Sequence, residues 1–166
     1  YRKVRQSTGW MMENGKPMGG KYSFDAENRF PWKGDPPAPD APVFTCDEID
    51  AEVESLVRTH YGHHPGSVDL SMQPTSADDV AQALAFAVDC LPNFGTYEDA
   101  MSEQSRGLFH SRLATLVNLH RVMPSRVVDA ALTSEAPLNS VEGFVRQMIW
   151  REYVRHIHEA VSYTHL

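Results

Sequence analysis

The sequence predicts an all-α fold, a single helical domain entered through an irregular, proline-rich stretch. Three observations carry this. Apolar residues recur at three- and four-residue steps over most of the chain after residue 45. Helix-start residues stand just ahead of those runs. No segment alternates apolar and polar residues over a useful strand length, and no segment repeats another.

In chain order, residues 1–12 hold Val4, Trp10, Met11 and Met12 in a helical pattern weakened by Gly9. Residues 13–29 read as a loop, because Gly15, Pro17, Gly19 and Gly20 fall within six positions. Pro31, Pro36, Pro37, Pro39 and Pro42 predict a stiff, extended linker of polyproline character. Thr45-Cys46-Asp47-Glu48 has capping-box form with Glu48 at the third helical position. The helix it opens is expected to bury Ile49, Val53, Leu56 and Val57 and to run to about His60. Ser76-Ala77-Asp78-Asp79 opens a second helix, with Val80, Leu84, Val88 and Leu91 inside and Pro92 at its end. Leu108, Leu113, Leu116 and Val117 mark a third. Pro124 begins a short fourth, with Val127, Val128 and Leu132 inward.

Asn139, with Glu142 three residues on, is expected to cap the fifth and longest helix. Val141, Phe144, Val145 and Met148 form its apolar stripe. Gln147, Trp150, Arg151 and Val154 recur at i, i+3, i+4 and i+7 on another side. An aromatic ring flanked by an amide and a guanidinium suits a planar, anionic ligand. The alternative is a core helix with a solvated basic face.

The 166 residues, 42% apolar and 22% charged, suffice for one domain with a sizeable core. No stretch approaches the ~18 consecutive apolar residues of a membrane span. The opening Tyr1-Arg2-Lys3-Val4-Arg5 leads into no apolar block and lacks an initiator Met, so the natural amino terminus is expected to lie upstream. Cys46 and Cys90 make no disulfide framework and read as buried or half-buried thiols of a reducing, cytoplasmic compartment. Net charge is −7, distributed as +4 over residues 1–34, −13 over 35–104 and +2 over 105–166. A nucleic-acid contact therefore belongs to the two ends, and the acidic middle is solvated surface.

Other signals fall away on inspection. Gly62 and Pro65 break any helix that would align His60, His63 and His64 on a metal. Ser111 lacks a G-x-S-x-G surround. Gly15 to Gly20 matches neither phosphate-loop pattern.

Four motifs, in order, resemble one family. Gly19-Gly20-Lys21-Tyr22-Ser23-Phe24-Asp25-Ala26-Glu27-Asn28-Arg29 is similar to the G-G-K-(W/Y)-x-(F/Y)-D-x-E-N-R loop of photolyase-related proteins, the prokaryotic iron–sulfur branch of the cryptochrome/photolyase family that includes bacterial (6-4) photolyases. Phe94-Gly95-Thr96-Tyr97-Glu98-Asp99-Ala100-Met101 resembles its F-G-x-Y-x-D-A-M. His110-Ser111-Arg112-Leu113, followed by Asn118 and Pro124, resembles its H-S-x-(L/I)-S-x-x-L-N-x-G-L-L-x-P. Pro137 to Gln147 and Trp150 to Arg155 resemble P-L-N-x-x-E-G-F-(I/V)-R-Q and W-R-E-(Y/F)-x-R.

The resemblance implies part of the helical FAD-binding domain of a light-driven photolyase that repairs ultraviolet pyrimidine photoproducts in DNA, of the (6-4) type. Residues 1–29 would be the interdomain segment after an α/β antenna domain, 30–44 the linker, and 45–160 the amino-terminal part of the FAD domain. Residues 161–166 match nothing in the family and are expected to be a non-native tail. Tyr97, His110, Ser111, Arg112 and Leu113 match positions that hold FAD phosphates, and Arg151 matches an FAD-contacting arginine. Trp150 matches an aromatic that packs on the extruded base pair and Gln147 a polar residue facing the lesion, the two residues of the catalytic opening. Ala114 departs from the usual Ser, His120 from Gly, and Met123 from a Ser/Thr cap. The iron–sulfur ligands and the antenna chromophore belong to parts of the family outside these motifs, so an isolated chain is expected to be inactive and monomeric, with damaged DNA as the full protein's partner and no membrane contact. Two other readings share the residues: a cryptochrome-like photoreceptor without repair, and a helical interaction module without cofactor.

Overall fold

The computed structural model describes residues 1–162. The last four residues of the expected tail lie outside the described residues. Among the described residues the chain forms six α-helices and one two-stranded hairpin, an all-α fold.

Helix α1 (Arg2–Thr8) closes on Gly9, whose φ of 76° is the left-handed conformation in which a glycine costs nothing. Strands β1 (Met12–Glu13) and β2 (Lys16–Pro17) pair antiparallel around Asn14-Gly15, both at positive φ. Arg5, fully buried, ties this amino-terminal unit together. Its guanidinium donates to the carbonyls of Trp10 (3.2 Å), Met11 (2.5 Å) and Tyr22 (2.9 Å) and lies between the Tyr1 and Tyr22 rings. Three carbonyl acceptors and two ring faces satisfy a charge that could not otherwise be buried.

The proline-rich segment is a strap laid on the helices. Phe30 N donates to Thr96 O (3.1 Å), Phe44 N to Ser71 O (2.8 Å), and Trp32 and Ala38 pack against the core. Helix α2 (Glu48–Tyr61) starts two residues later than the sequence predicts. Asp47 is the N-cap, accepting from Ile49 N and Asp50 N, and Asp50 returns the bond to Asp47 N. The expected buried face is corrected too: Ile49 is 69% exposed and Leu56 53%. The reason is that α2 stands outside the group of mutually packed helices, and its inward polar residue is Asp50, which accepts from Thr75.

The core is built from α3 (Ala77–Phe94), α5 (Pro124–Leu132) and α6 (Leu138–Ser162), each packed on the other two. Ser76 and Asp79 form the expected capping box of α3. Pro92 does not end it. The helix runs two residues further because Cys90, Leu91 and Phe94 are all buried there, and a proline so near the end forfeits a single backbone bond. The expected third helix shrinks to α4 (Ala114–Asn118). Leu108 and Arg112 take positive φ, which breaks the helix, while Leu108, Leu113, Leu116 and Val117 stay in the core. Helix α6 begins before Asn139, with Pro137 O accepting from Ser140 N and Val141 N. Asn139 and Glu142 are therefore not its cap; both side chains are spent on tertiary contacts.

The α3–α6 crossing brings Phe94 and Phe144 edge to face, centroids 5.5 Å apart. Just past it, a Cβ on Gly95 would lie 2.6 Å from Ser140 Cα, so only glycine lets the end of α3 rest on the first turn of α6. Gly95 N donates there to Ser140 Oγ (2.9 Å).

Candidate functional site

Beside that crossing, α4, α6 and the end of α3 enclose an open cleft of about 500 Å³. Its floor is apolar: Phe94, Phe144, Val117 and Met148. Its rim is polar: His110, Ser111, Asn118, Gln147 and Arg151, with Asp99 and Glu98 at one end. A cavity of this size with an apolar floor and a few converging polar groups is the usual form of a small-molecule site.

Two anchors set the rim. The Arg151 guanidinium donates from Nε (3.2 Å) and Nη2 (3.0 Å) to Asn118 Oδ1 and from Nη2 to Val117 O (3.3 Å), and its Nη1 pairs with Glu152. Arg151 thereby clamps α6 to the end of α4. On the other side Gln147 Nε2 donates to Glu98 Oε1 (2.6 Å). Glu98 is buried, and the same carboxylate accepts from Arg146 Nη2 (2.9 Å) and Asn28 Nδ2 (3.1 Å).

Glu98 belongs to a larger polar hub that sequence reasoning missed. Arg146 also faces Asp25 (3.2 Å) and Glu142 (3.4 Å). Glu142, wholly buried, accepts from Tyr1 Oη (2.6 Å) and Phe24 N (2.9 Å). Asn139 Nδ2 donates to Asn28 Oδ1 (3.1 Å), and Asn28 Nδ2 to Asn139 O (3.2 Å). The Gly19–Arg29 loop is thus docked on α6 directly behind the cleft. Gly143 makes the docking possible, since a Cβ there would meet Glu98 Oε2 at 2.7 Å and Asn28 Nδ2 at 2.9 Å. The missed signal was the acid at residue 142 among the apolar residues of α6, which pattern reading assigned to a cap.

The expected site residues divide. His110, Ser111, Gln147 and Arg151 converge on the cleft. Leu113 is buried in the core behind it. Arg112, at φ 57°, turns to a separate cleft with Trp32 and Arg106. Tyr97 stacks on Phe109 and donates to Asp35 O (3.3 Å), joining the strap to the core. Trp150 lies one turn from Gln147 but does not line the cleft. Residues advance about 100° around a helix, so Trp150 and Arg151 diverge by that angle, and Trp150 lines an apolar groove of about 490 Å³ with Tyr1, Val4, Trp10, Val128 and Tyr153. Trp150 is 53% exposed and its ring meets that of Tyr153 edge-on. Met148 forms the wall between groove and cleft.

Partial burial lowers the His110 pKa, with Arg112 adding to the effect and Glu98 and Asp99 opposing it. The imidazole, edge-on to Phe94, is therefore neutral at pH 7 and offers one donor and one acceptor. Among the described residues no group of three or more His, Cys, Asp or Glu could hold a metal ion, and no helix is long and apolar enough to cross a membrane.

Comparison with known proteins bears on this arrangement. A family model described as deoxyribodipyrimidine photo-lyase-related protein matches residues 1–72, which include the docked loop. A (6-4) photolyase of Agrobacterium fabrum is 40% identical over 164 residues, covering 95% of this chain and 32% of that relative. An uncharacterized protein of Acanthamoeba polyphaga mimivirus is 33% identical over 70 residues, 39% of this chain and 54% of that protein. The chain spans about a third of the length of the photolyase it matches. By the loop, the helical core and this similarity along nearly its whole length, the chain is similar to the photolyase-related proteins.

Proposed function

We propose that the cleft between α4 and α6 cradles one side of FAD in a light-driven DNA photolyase of the (6-4) type. The observation that carries the reading is the convergence of His110, Ser111, Gln147 and Arg151, drawn from two separate motifs, on one cleft with an apolar floor. The donor set fits a flavin nucleotide. Phe94, Phe144 and Met148 offer a surface for a ring system, while the Ser111 hydroxyl, the neutral His110 and the Arg151 guanidinium offer donors to its polar groups. The bound flavin would supply a light-absorbing ring able to exchange an electron with a damaged base.

The chain's own residues prepare that site. Arg151, held by Asn118 and Glu152, is fixed before any ligand arrives. Met148 and the Phe94–Phe144 pair exclude water from the floor. Trp150 presents an exposed ring in the neighbouring groove, where a base extruded from the duplex could stack. That exposed ring favours repair over a purely photosensory role.

Two titrations test the reading. Arg151→Gln removes a charge-assisted contact and should weaken FAD binding by roughly 10- to 150-fold, the equivalent of about 1.5–3 kcal/mol. Trp150→Ala should leave FAD affinity unchanged but abolish a preference for oligonucleotides carrying a (6-4) photoproduct over undamaged ones at fixed salt. Equal FAD affinity of wild type and Arg151→Gln would remove the cleft from the reading. A wild type without lesion preference would remove the repair role.

A further inference from the structure

The two amides on the cleft rim are held in opposite senses by partners whose polarity cannot change. Glu98 is a buried carboxylate surrounded by donors: Arg146, Asn28 and Gln147. A carboxylate ligated in this way only accepts, so the NH2 end of Gln147 must face it. The Gln147 carbonyl oxygen is left as the group available to the cleft. Arg151 only donates, and it donates twice to Asn118 Oδ1. The NH2 end of Asn118 is therefore the group available on the other side.

We infer that the cleft recognises a cyclic amide, a ring bearing both an N–H and a carbonyl, with Gln147 Oε1 accepting from the ring N–H and Asn118 Nδ2 donating to a ring carbonyl. Glu98 and Arg151 act as positioning residues that fix the sense of the two amides. The inference rests on the flavin and damaged-base reading above, since the flavin ring and a pyrimidine base both carry this group. Gly143 and Asn28 extend the device behind the cleft. Gly143 admits Glu98 to the helix surface, and Asn28 holds its second oxygen. The docked loop thereby sets the hydrogen-bonding sense of a residue one turn along α6 from Gly143.

The test uses the full chain, four probes and side-chain amide NMR. The probes are lumiflavin, 3-methyl-lumiflavin, thymidine and 3-methylthymidine. In the wild type the Gln147 side-chain amide proton, identified by its loss in Gln147→Met, should resonate well downfield of the other glutamines, because it is bound to a carboxylate. A shift within the range of the other glutamines overturns the inference whatever binds. Methylation of the ring N–H should weaken binding at least about tenfold, the loss of one well-made hydrogen bond. In Glu98→Gln, residue 98 can donate as well as accept, so Gln147 is free to turn over. The discrimination against the methylated probe should then collapse toward unity, with the backbone spectrum retained. Discrimination that persists in Glu98→Gln is steric and overturns the inference. Should that variant unfold, the wild-type amide shift and methyl discrimination must both be present, or the inference fails. Discrimination in the flavin pair alone names the flavin as the ring read here, and discrimination in the thymidine pair alone names the base. Binding of lumiflavin regardless of methylation, with no discrimination in the thymidine pair either, overturns this inference and leaves the flavin reading standing. Binding of none of the four overturns both.

Discussion

Replacing Gly143 by Ala should destabilise the protein, although alanine is the better helix former. On an exposed helix the exchange would gain about 1 kcal/mol. Here the new methyl would sit 2.7 Å from Glu98 Oε2 and 2.9 Å from Asn28 Nδ2. Neither neighbour is free to move. Glu98 is held by Arg146, Asn28 and Gln147, and Asn28 is 1% exposed and tied to Asn139. Overpacking of this kind costs about 1–3 kcal/mol. Separating Asn28 from the Glu98 carboxylate costs a further ~1.5–3 kcal/mol, as a hydrogen bond to a charged group. Against the helix-propensity gain, the net loss is about 1.5–5 kcal/mol. For a chain of this size that lowers Tm by roughly 2–4 °C per kcal/mol, so a fall near 10 °C is expected. Calorimetry of wild type and variant measures it, and amide spectra should place the largest shifts in the 19–29 loop. A Gly143→Ala protein as stable as wild type, or more so, would refute the close approach that docks the loop.

Other expectations follow from single features. Because burial lowers the His110 pKa, the unfolded chain takes up this proton first as pH falls. Stability contributed by neutral His110 is full above about pH 6.5 and declines as pH drops below it toward the folded pKa; urea midpoints at pH 7 and 5 should fall less for His110→Gln than for wild type. Arg5→Met should cost over ~3 kcal/mol, since one buried and two part-buried carbonyls lose a charged donor, and limited proteolysis should then cut within residues 1–29 before the helical core. Ser76→Ala removes the α3 cap and should lower stability by about 1 kcal/mol in urea unfolding. Cys90 is buried with its thiol pushed up to about 11 by desolvation, whereas Cys46 is exposed. A thiol reagent at pH 8 should label Cys46 promptly and Cys90 only on unfolding.

The fold class was legible because the helices that matter carry strong local signals. Ser76 and Asp79 cap α3, Pro124 starts α5, and the apolar stripe of α6 is unbroken from Val141 to Met148. Local pattern failed where tertiary contacts decide. The period of Leu108, Leu113, Leu116 and Val117 reads as one helix, yet it records only that all four are buried, part of them in a loop. The stripe of Ile49, Val53 and Leu56 on α2 has the right spacing but no packed helix of the core over it. Asn139 and Glu142 have cap spacing, but their partners lie over a hundred residues away, in the Tyr1–Asn28 segment. The same limit applied at the cleft. The motifs named His110, Ser111, Gln147 and Arg151, which meet. Helix rotation separates Trp150 from them, and positive φ turns Arg112 away. Glu98 and Asn118, which fix the rim, drew no role because their function lies in whom they hold.

The proposed flavin site between α4 and α6 is tested by titrating FAD in the dark into the isotope-labelled 166-residue chain and mapping the amide shifts by residue. This measurement detects weak binding and needs no turnover. Saturable shifts are expected at His110, Ser111, Asn118, Gln147 and Arg151, with α2 silent. Shifts confined to the groove of Trp10 and Trp150, or none at saturating flavin, would contradict the proposed site.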